Sequence, residues 1–159
     1  MSFRKMLREK QALSRDECIE ILKSEKRGVL SLCGDGGYPY GVPINHYYCE
    51  ADGCIYFHSG KAGHKIDAMR KDGKASFCCI TPGEKRGGNW WLTVRSVIVF
   101  GKLHPVEDHG RALGISRELS RKFTADEDYI EREIRQSGAG VFVFALEIEH
   151  ISGKAVEER

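Results

Sequence analysis

The feature that most constrains the fold is a pair of tight turns that separates three short strand-like segments. The turns lie at residues 34–37 (Gly-Asp-Gly-Gly) and 51–53 (Ala-Asp-Gly), between predicted strands at 28–33, 38–48 and 54–59. Glycine accepts the positive φ angles that hairpin turns need, so each turn is expected to join antiparallel neighbours. The spacing therefore favours an antiparallel sheet over a parallel one.

Further along the chain, strands and helices are mixed. A capping box at Ser14 and Glu17 marks the start of the first helix, because the serine accepts from the third helical amide while the glutamate reaches back. Six strands, mostly joined by tight turns, predict an antiparallel barrel of the α+β class with helices outside, in one domain over residues 1–159. The other predicted strands are 75–80, 91–104 and 141–151, and the predicted helices are 14–25, 62–71, 106–123 and 125–136.

Composition and motifs exclude several functions. The net charge is +2 with basic and acidic residues interleaved, which argues against nucleic-acid binding. The sequence has neither a signal peptide nor a membrane span, so we expect a cytoplasmic protein. Its six cysteines lack CxxC spacing, which favours reduced thiols over disulfides or a metal site. The motifs GxGxxG, GxxxxGK[ST], GxSxG and HExxH are absent.

One segment, residues 58–65 (HSGKAGHK), has the composition of a phosphate site. It ends a predicted strand and opens a helix, where unpaired amides and the positive end of the helix dipole attract anions. Its glycines let a ligand approach the backbone, and its lysines and serine add donors. The same residues also fit a solvated loop capped by Ser59, and the residues alone favour neither interpretation.

The strand before it contains a second candidate element at residues 42–47 (VPINHY). Pro43 has a fixed φ and no N–H, so neighbouring backbone groups are free to bond the rim of a planar ring. An ordinary edge strand that blocks aggregation explains the same proline, and this segment alone favours that explanation. His46 is more typical of a structural histidine than of a proton donor.

Two further pairs of residues have open roles. Arg95 and Ser96 begin a long strand and point to opposite faces, so only one of them can join a given pocket. Trp90 and Trp91 form either a stacking wall or a part of the core or of an interface.

In order along the chain, five segments resemble the flavin-binding split-barrel superfamily of pyridoxamine phosphate oxidase. Within it, the chain is most similar to the nitroimidazole-resistance proteins. The most specific element is YPYGVPIN followed by IYFHS-x-x-x-GHK. The five segments are residues 28–31, 36–45, 55–65, 95–101 and 148–154.

The resemblance implies a homodimer of six-stranded antiparallel split β-barrels flanked by helices, with FMN at the subunit interface. The implied binding residues fall into a ring-side group, a ribityl and phosphate group, and a group that approaches from the same subunit or from its partner. These are Val42, Pro43, Ile44 and Asn45; His58, Ser59, Gly63, His64 and Lys65; and Arg95 and Ser96.

The implied activity is that of an FMN-dependent oxidoreductase, in which a nicotinamide donor supplies electrons and a small organic acceptor such as a nitroaromatic receives them. His46, Tyr47 and Tyr48 are the candidate proton donors. Two alternatives stay open. One is a non-catalytic module that holds flavin or haem, with the histidines at 46, 58, 64 and 150 as candidate haem ligands. The other is an enzyme of the pyridoxamine phosphate oxidase type. The loop 81–91 departs from the family pattern and leaves the substrate open.

Overall fold

The structure is a computed structural model and describes residues 3–159. Within that range the chain forms eight strands and four α-helices. No helix in it is long and apolar enough to cross a membrane. The strands are β1 (Arg27–Cys33), β2 (Pro39–Asn45), β3 (Tyr47–Cys49), β4 (Cys54–Ser59), β5 (Lys74–Ile80), β6 (Glu84–Lys85), β7 (Leu92–Pro105) and β8 (Phe142–Glu158). The helices are α1 (Arg15–Ser24), α2 (His64–Lys71), α3 (His109–Arg121) and α4 (Glu127–Ser137).

All strands belong to one antiparallel sheet in the order β2-β1-β5-β7-β8-β4-β3, and β6 pairs with β7. Strands β2 and β3 lie at opposite ends of this order, yet only His46 separates them in the chain. The sheet must therefore curl until its two edges approach each other, which produces a half-barrel. The predicted α+β class and antiparallel split barrel with flanking helices are confirmed.

The number of strands differs from the predicted six for two local reasons. The predicted strand 38–48 breaks at His46, where the chain passes from one edge of the sheet to the other. The His46 side chain is fully buried at this break. In addition, Glu84 and Lys85 pair with Thr93 and Leu92, within a segment that was expected to be a loop. The last strand also continues to Glu158, because β7 offers a partner along almost its whole length.

Large apolar side chains fill the inside of the half-barrel. Phe57 packs edge-on against Phe77 with ring centroids 5.1 Å apart, and it stacks on Phe144 at 5.3 Å. Helix α1 contributes Leu22 to the same cluster. The helix starts at the predicted capping box, in which the Glu17 amide donates to Ser14 Oγ at 3.2 Å and the Ser14 amide donates to Glu17 Oε2 at 2.7 Å.

The register of the two longest strands shifts at a β-bulge between Phe100 and Gly101. A Cβ atom at Gly101 would lie 2.0 Å from the Glu147 carbonyl oxygen. Only glycine fits here without moving the backbone of β8. The bulge therefore depends on this residue and helps the long β7–β8 pair to curl.

Candidate functional site

Helix α2 starts without a side-chain cap, just after the end of β4. Its N-cap residue is Gly63, with φ 118°, and no side chain bonds to the exposed amides. The amides of Ile66 and Asp67 both donate to the Gly63 carbonyl, at 2.9 and 3.1 Å. In the described part of the chain the amides of His64 and Lys65 have no backbone acceptor. Two N–H groups at the positive end of the helix dipole are thus available to an anion.

Two basic side chains lie close together beside these amides. Burial lowers the pKa of the half-buried Lys65 ammonium group. Loss of hydration, and then the charge of the nearby Lys65, lower the pKa of His58. Because each group is disfavoured in its charged form, a bound anion between them would relieve both effects. Ser59, which ends β4, adds a partly buried hydroxyl group.

Strand β2 is joined to this region through Tyr40. The Tyr40 ring stacks on the His64 imidazole with centroids 3.9 Å apart, and the same imidazole lies 3.7 Å from the Asp35 carboxylate. Strand β2 also contacts β4. The two segments that the sequence singled out, β2 and residues 58–65, therefore come together. Tyr40 was not among the predicted site residues, because the only signal for it is an aromatic residue two positions before Val42.

Strand β2 lies at an edge of the sheet, as Pro43 predicted, and among the described strands it pairs only with β1. Pro43 is exposed, whereas Val42, Ile44 and Asn45 are half-buried. The unpaired edge leaves alternate backbone groups of these residues without a strand partner. A flat ligand along this edge would meet backbone groups rather than charged side chains.

The family model for pyridoxamine 5'-phosphate oxidase matches residues 14–155. The chain belongs to the pyridoxamine 5'-phosphate oxidase family. Among curated proteins, no sequence gives a significant match.

Solved structures with the same fold have low sequence identity to this chain. A candidate 5-nitroimidazole antibiotic resistance protein from Bacteroides thetaiotaomicron is 18% identical, with a TM-score of 0.75 over 92% of this chain and 87% of that one. A FAD-binding protein from Mesorhizobium loti is 26% identical, with a TM-score of 0.64 over 92% and 97%. A FAD and heme binding protein from Mycobacterium smegmatis is 20% identical, with a TM-score of 0.74 over 95% and 75%.

In this member of the pyridoxamine 5'-phosphate oxidase family, His46 has a structural position. Its side chain is 0% exposed, and its Nε2 donates to the Leu22 carbonyl oxygen at 2.7 Å. Burial, followed by the charge of Lys122, lowers the pKa of His46 to about 3. Because the ring has no exposed surface and stays neutral, this placement does not support the predicted role of proton donor.

Lys122, the C-cap residue of α3, binds the backbone at the break between β2 and β3. Its Nζ donates to the carbonyl oxygens of Glu25 at 2.6 Å and of His46 at 2.9 Å. Burial lowers the pKa of Lys122 to about 8. Sequence analysis did not find this residue, because nothing near it in the chain points to a partner 76 residues away.

Arg95 and Ser96 point to opposite faces of β7, as predicted, and neither reaches β2 in the same subunit. The Arg95 guanidinium group donates to Glu84 at 3.2 Å. Ser96 pairs with Ile80 of β5 and with Lys154 of β8. Strand β7 is three positions from β2 in the sheet, which places it about 14 Å away at the usual strand spacing. These two residues therefore do not join the β2 segment within one subunit.

A strip of apolar side chains lies on the outer face of the half-barrel. Register across five strands aligns the outward residues of β2, β1, β5, β7 and β8 in one row, and large apolar side chains on this face remain exposed. The row contains Pro43, Val29, Cys78, Ile98 and Ser152, and the exposed side chains nearby include Ile80 at 63% and Phe100 at 40%. A face of this kind is typical of an interaction surface.

The two tryptophans belong to the segment that precedes β7. Trp90 is 73% exposed, and it meets Trp91 edge-on at a centroid distance of 5.9 Å. The Arg159 guanidinium group lies over the Trp91 ring at 5.1 Å. Trp91 therefore anchors the end of β8, while Trp90 is available for contact.

Proposed function

We propose that this protein is an FMN-dependent oxidoreductase that binds its cofactor between residues 58–65 and the edge strand β2. The observation that carries the proposal is the uncapped start of α2 beside that edge. The amides of His64 and Lys65 are free there, and the half-buried Lys65 side chain and His58, whose pKa is lowered, lie beside them. This combination of donors suits a phosphate monoester.

The residues present fit a flavin mononucleotide. A Cβ atom built at Gly60 or Gly63 meets no other atom within 4 Å, so the space above the loop is open. The amides of His64 and Lys65, the Lys65 ammonium group, His58 and the Ser59 hydroxyl would hold the phosphate. The backbone of residues 42–45 would orient the ring. When bound, FMN supplies electron transfer from a reduced donor, such as a nicotinamide, to a small organic acceptor.

The chain's own contribution is binding and orientation rather than acid catalysis. His46 is buried and neutral at physiological pH. Tyr48 is 7% exposed, and loss of hydration followed by the nearby Cys49 raises the pKa of Tyr47. None of these three is therefore a good proton donor near pH 7, and we assign protonation of the acceptor to solvent.

A homodimer is part of the proposal, with the outer face of the half-barrel as its interface. Val29, Ile98 and Phe100 are each about 40% exposed, and a second copy of the chain would remove them from water. The resemblance also implies that Ser96 approaches the cofactor. Because β7 lies three positions from β2 in the sheet, Ser96 would approach a cofactor on β2 only if that cofactor belongs to the partner subunit. We also propose that the protein is cytoplasmic, as the sequence predicts.

The test of cofactor identity is the visible absorbance of the purified protein, followed by chromatography of the compound released on denaturation. We expect a yellow protein that releases FMN. Released FAD would retain the flavin site but contradict the mononucleotide. A colourless protein that takes up neither flavin contradicts the proposal.

Measurements of turnover distinguish an enzyme from a module that only holds flavin, which is an alternative that the sequence left open. The solved structures of similar fold include proteins that bind FAD, or FAD and heme, so storage is a real alternative. We expect rapid reduction of the bound flavin by NADH or NADPH in stopped-flow measurements and reoxidation by a nitroaromatic. Oxidation of pyridoxamine phosphate instead would assign the chain to the activity that gives its family its name.

A further inference from the structure

A cavity of about 380 Å³ lies between the N-terminal segment and the outer surface of the two longest strands. Residues 4–6 form one wall, and Ser96 and Ile98 of β7 lie opposite, together with residues 150–154 of β8. Its volume is within the range of small-molecule sites. No residue of the proposed phosphate segment, 58–65, and none of residues 42–45 lines it.

The N-terminal wall is attached to the sheet at both ends. The Phe3 ring stacks on the His150 imidazole at 4.7 Å and on Phe100 at 5.6 Å. At the other end the Leu13 amide donates to the Gly153 carbonyl at 2.9 Å, and Ala12 forms a β-bridge with Lys154. These contacts hold the wall across the mouth of the cavity.

The lining of this cavity is basic and contains no carboxylate. Arg4, Lys5 and Lys154 line it, and within residues 3–159 none of the three forms an ion pair. Four other surface cavities each include at least one Asp or Glu in their lining. Uncompensated cations around a concave site attract a negatively charged ligand.

The remaining lining is apolar with a few hydroxyl groups. Met6, Leu13 and Ile98 supply apolar surface, while Ser96 and Ser152 supply hydroxyls. This mixture suits a molecule with an apolar body and one anionic end, because the body loses contact with water while the charged end pairs with the lysines and arginine. An inorganic anion would leave the apolar part of the lining unused.

We propose that this cavity binds a small organic anion with an apolar body, such as an aromatic carboxylate. In the proposed oxidoreductase this molecule is the electron acceptor, since Ser96 is a residue that would face the flavin of the partner subunit. That role rests on the proposed function, whereas binding of the anion does not.

Binding is tested by calorimetric titration of the full chain, with and without added flavin, using 4-nitrobenzoate and its uncharged analogue 4-nitrobenzamide. We expect the carboxylate to bind at least about tenfold more tightly than the amide, and this preference to shrink as salt is added. Lys154→Gln should remove most of the preference, and Lys154→Arg should keep it. Lys74→Gln is the matched control, because Lys74 is an exposed lysine of β5 that does not line the cavity.

Equal affinities for carboxylate and amide would overturn the inference, and so would an unchanged preference in Lys154→Gln. Thermal unfolding of each variant shows whether it is folded. If Lys154→Gln does not fold, the double variant Arg4→Gln/Lys5→Gln, in the N-terminal wall, gives the same test. A chain that binds no flavin but prefers 4-nitrobenzoate would contradict the proposed function and leave this site intact.

Discussion

The imidazole ring of His64 stacks on the phenol ring of Tyr40, with centroids 3.9 Å apart and planes inclined by 21°. This contact joins the first residue of α2 to the edge strand β2. The two segments are separated in the chain by the β-hairpin of β3 and β4. The stack therefore fixes the distance between the proposed phosphate-binding amides and the proposed ring-side strand.

Removing this stack should weaken flavin binding without removing any group that contacts the phosphate. An aromatic pair contributes about 0.5–1.5 kcal/mol, so Tyr40→Ala should raise the Kd for FMN roughly 2- to 10-fold. Tyr40→Phe should bind like the original chain, because the ring is retained. Tyr38→Ala is the control, since Tyr38 is 76% exposed. A Tyr40→Ala protein with unchanged affinity would show that the stack does not position the site.

Lys65→Ala should reduce FMN affinity far more than Lys61→Ala. Lys65 lies half-buried at the uncapped helix start, whereas the exposed Lys61 donates to the Ala139 carbonyl at 3.0 Å. A hydrogen bond to a charged group is worth about 1.5–3 kcal/mol, so the Kd should rise about 10- to 150-fold. Riboflavin, which lacks the phosphate, should bind both variants equally. Equal losses for the two lysines would contradict the assignment.

FMN binding should depend on pH through His58. In the free protein the pKa of His58 lies below its usual value, through loss of hydration and the charge of Lys65. A bound phosphate raises that pKa, so binding takes up a proton. The affinity therefore increases as the pH falls through the pKa of His58 in the complex, and it levels off below the lowered pKa of the free protein. The phosphate of FMN also titrates near pH 6, so the informative quantity is the difference from His58→Gln. Parallel pH curves for the two proteins would exclude this role of His58.

His46 should make the protein sensitive to acid. Its pKa is about 3 in the folded protein and about 6.5 when unfolded, so below pH 6.5 the unfolded chain binds a proton that the folded chain does not. The free energy of unfolding should thus fall by about 2 kcal/mol between about pH 7 and pH 5. His46→Gln keeps a donor for the Leu22 carbonyl but does not titrate. Denaturant unfolding at both pH values should show a smaller loss in this variant, and an equal loss would refute the argument.

A charge in the outer apolar face should dissociate the proposed dimer. Val29 is 40% exposed and lies in the row between Pro43 of β2 and Cys78 of β5, and it does not line the basic cavity. Val29→Glu would bury a carboxylate against a second copy, which costs several kcal/mol. Sedimentation should show a monomer for this variant and a dimer for Tyr129→Glu, a change at an exposed aromatic residue of α4. A dimeric Val29→Glu protein would place the interface elsewhere.

The parts of the fold that could be predicted are those with local signals. The capping box at Ser14 and Glu17, the two glycine-rich turns and the edge position implied by Pro43 all depend on residues close together in the chain. Adjacent residues of a strand point to opposite faces, and of the neighbours Cys78 and Cys79 in β5 only Cys79 is buried.

The parts that could not be predicted depend on distant partners. The polar end of β8, up to Glu158, becomes a strand because β7 offers a partner there. The break at His46 needs the Leu22 carbonyl and the Lys122 ammonium group, which come from two different helices. The N-terminal wall of the basic cavity is fixed by the stacking of Phe3 on His150, which lies 147 positions further along the chain. No periodicity in the sequence encodes such contacts.

The most direct measurement is an equilibrium titration of cofactor-free protein with FMN and with riboflavin, followed by quenching of flavin fluorescence. Because residues 58–65 are proposed to hold the phosphate, FMN should bind with at least about 100-fold higher affinity than riboflavin, equivalent to about 2.7 kcal/mol. Equal affinities for the two compounds, or no binding of either, would contradict the phosphate site at the start of α2.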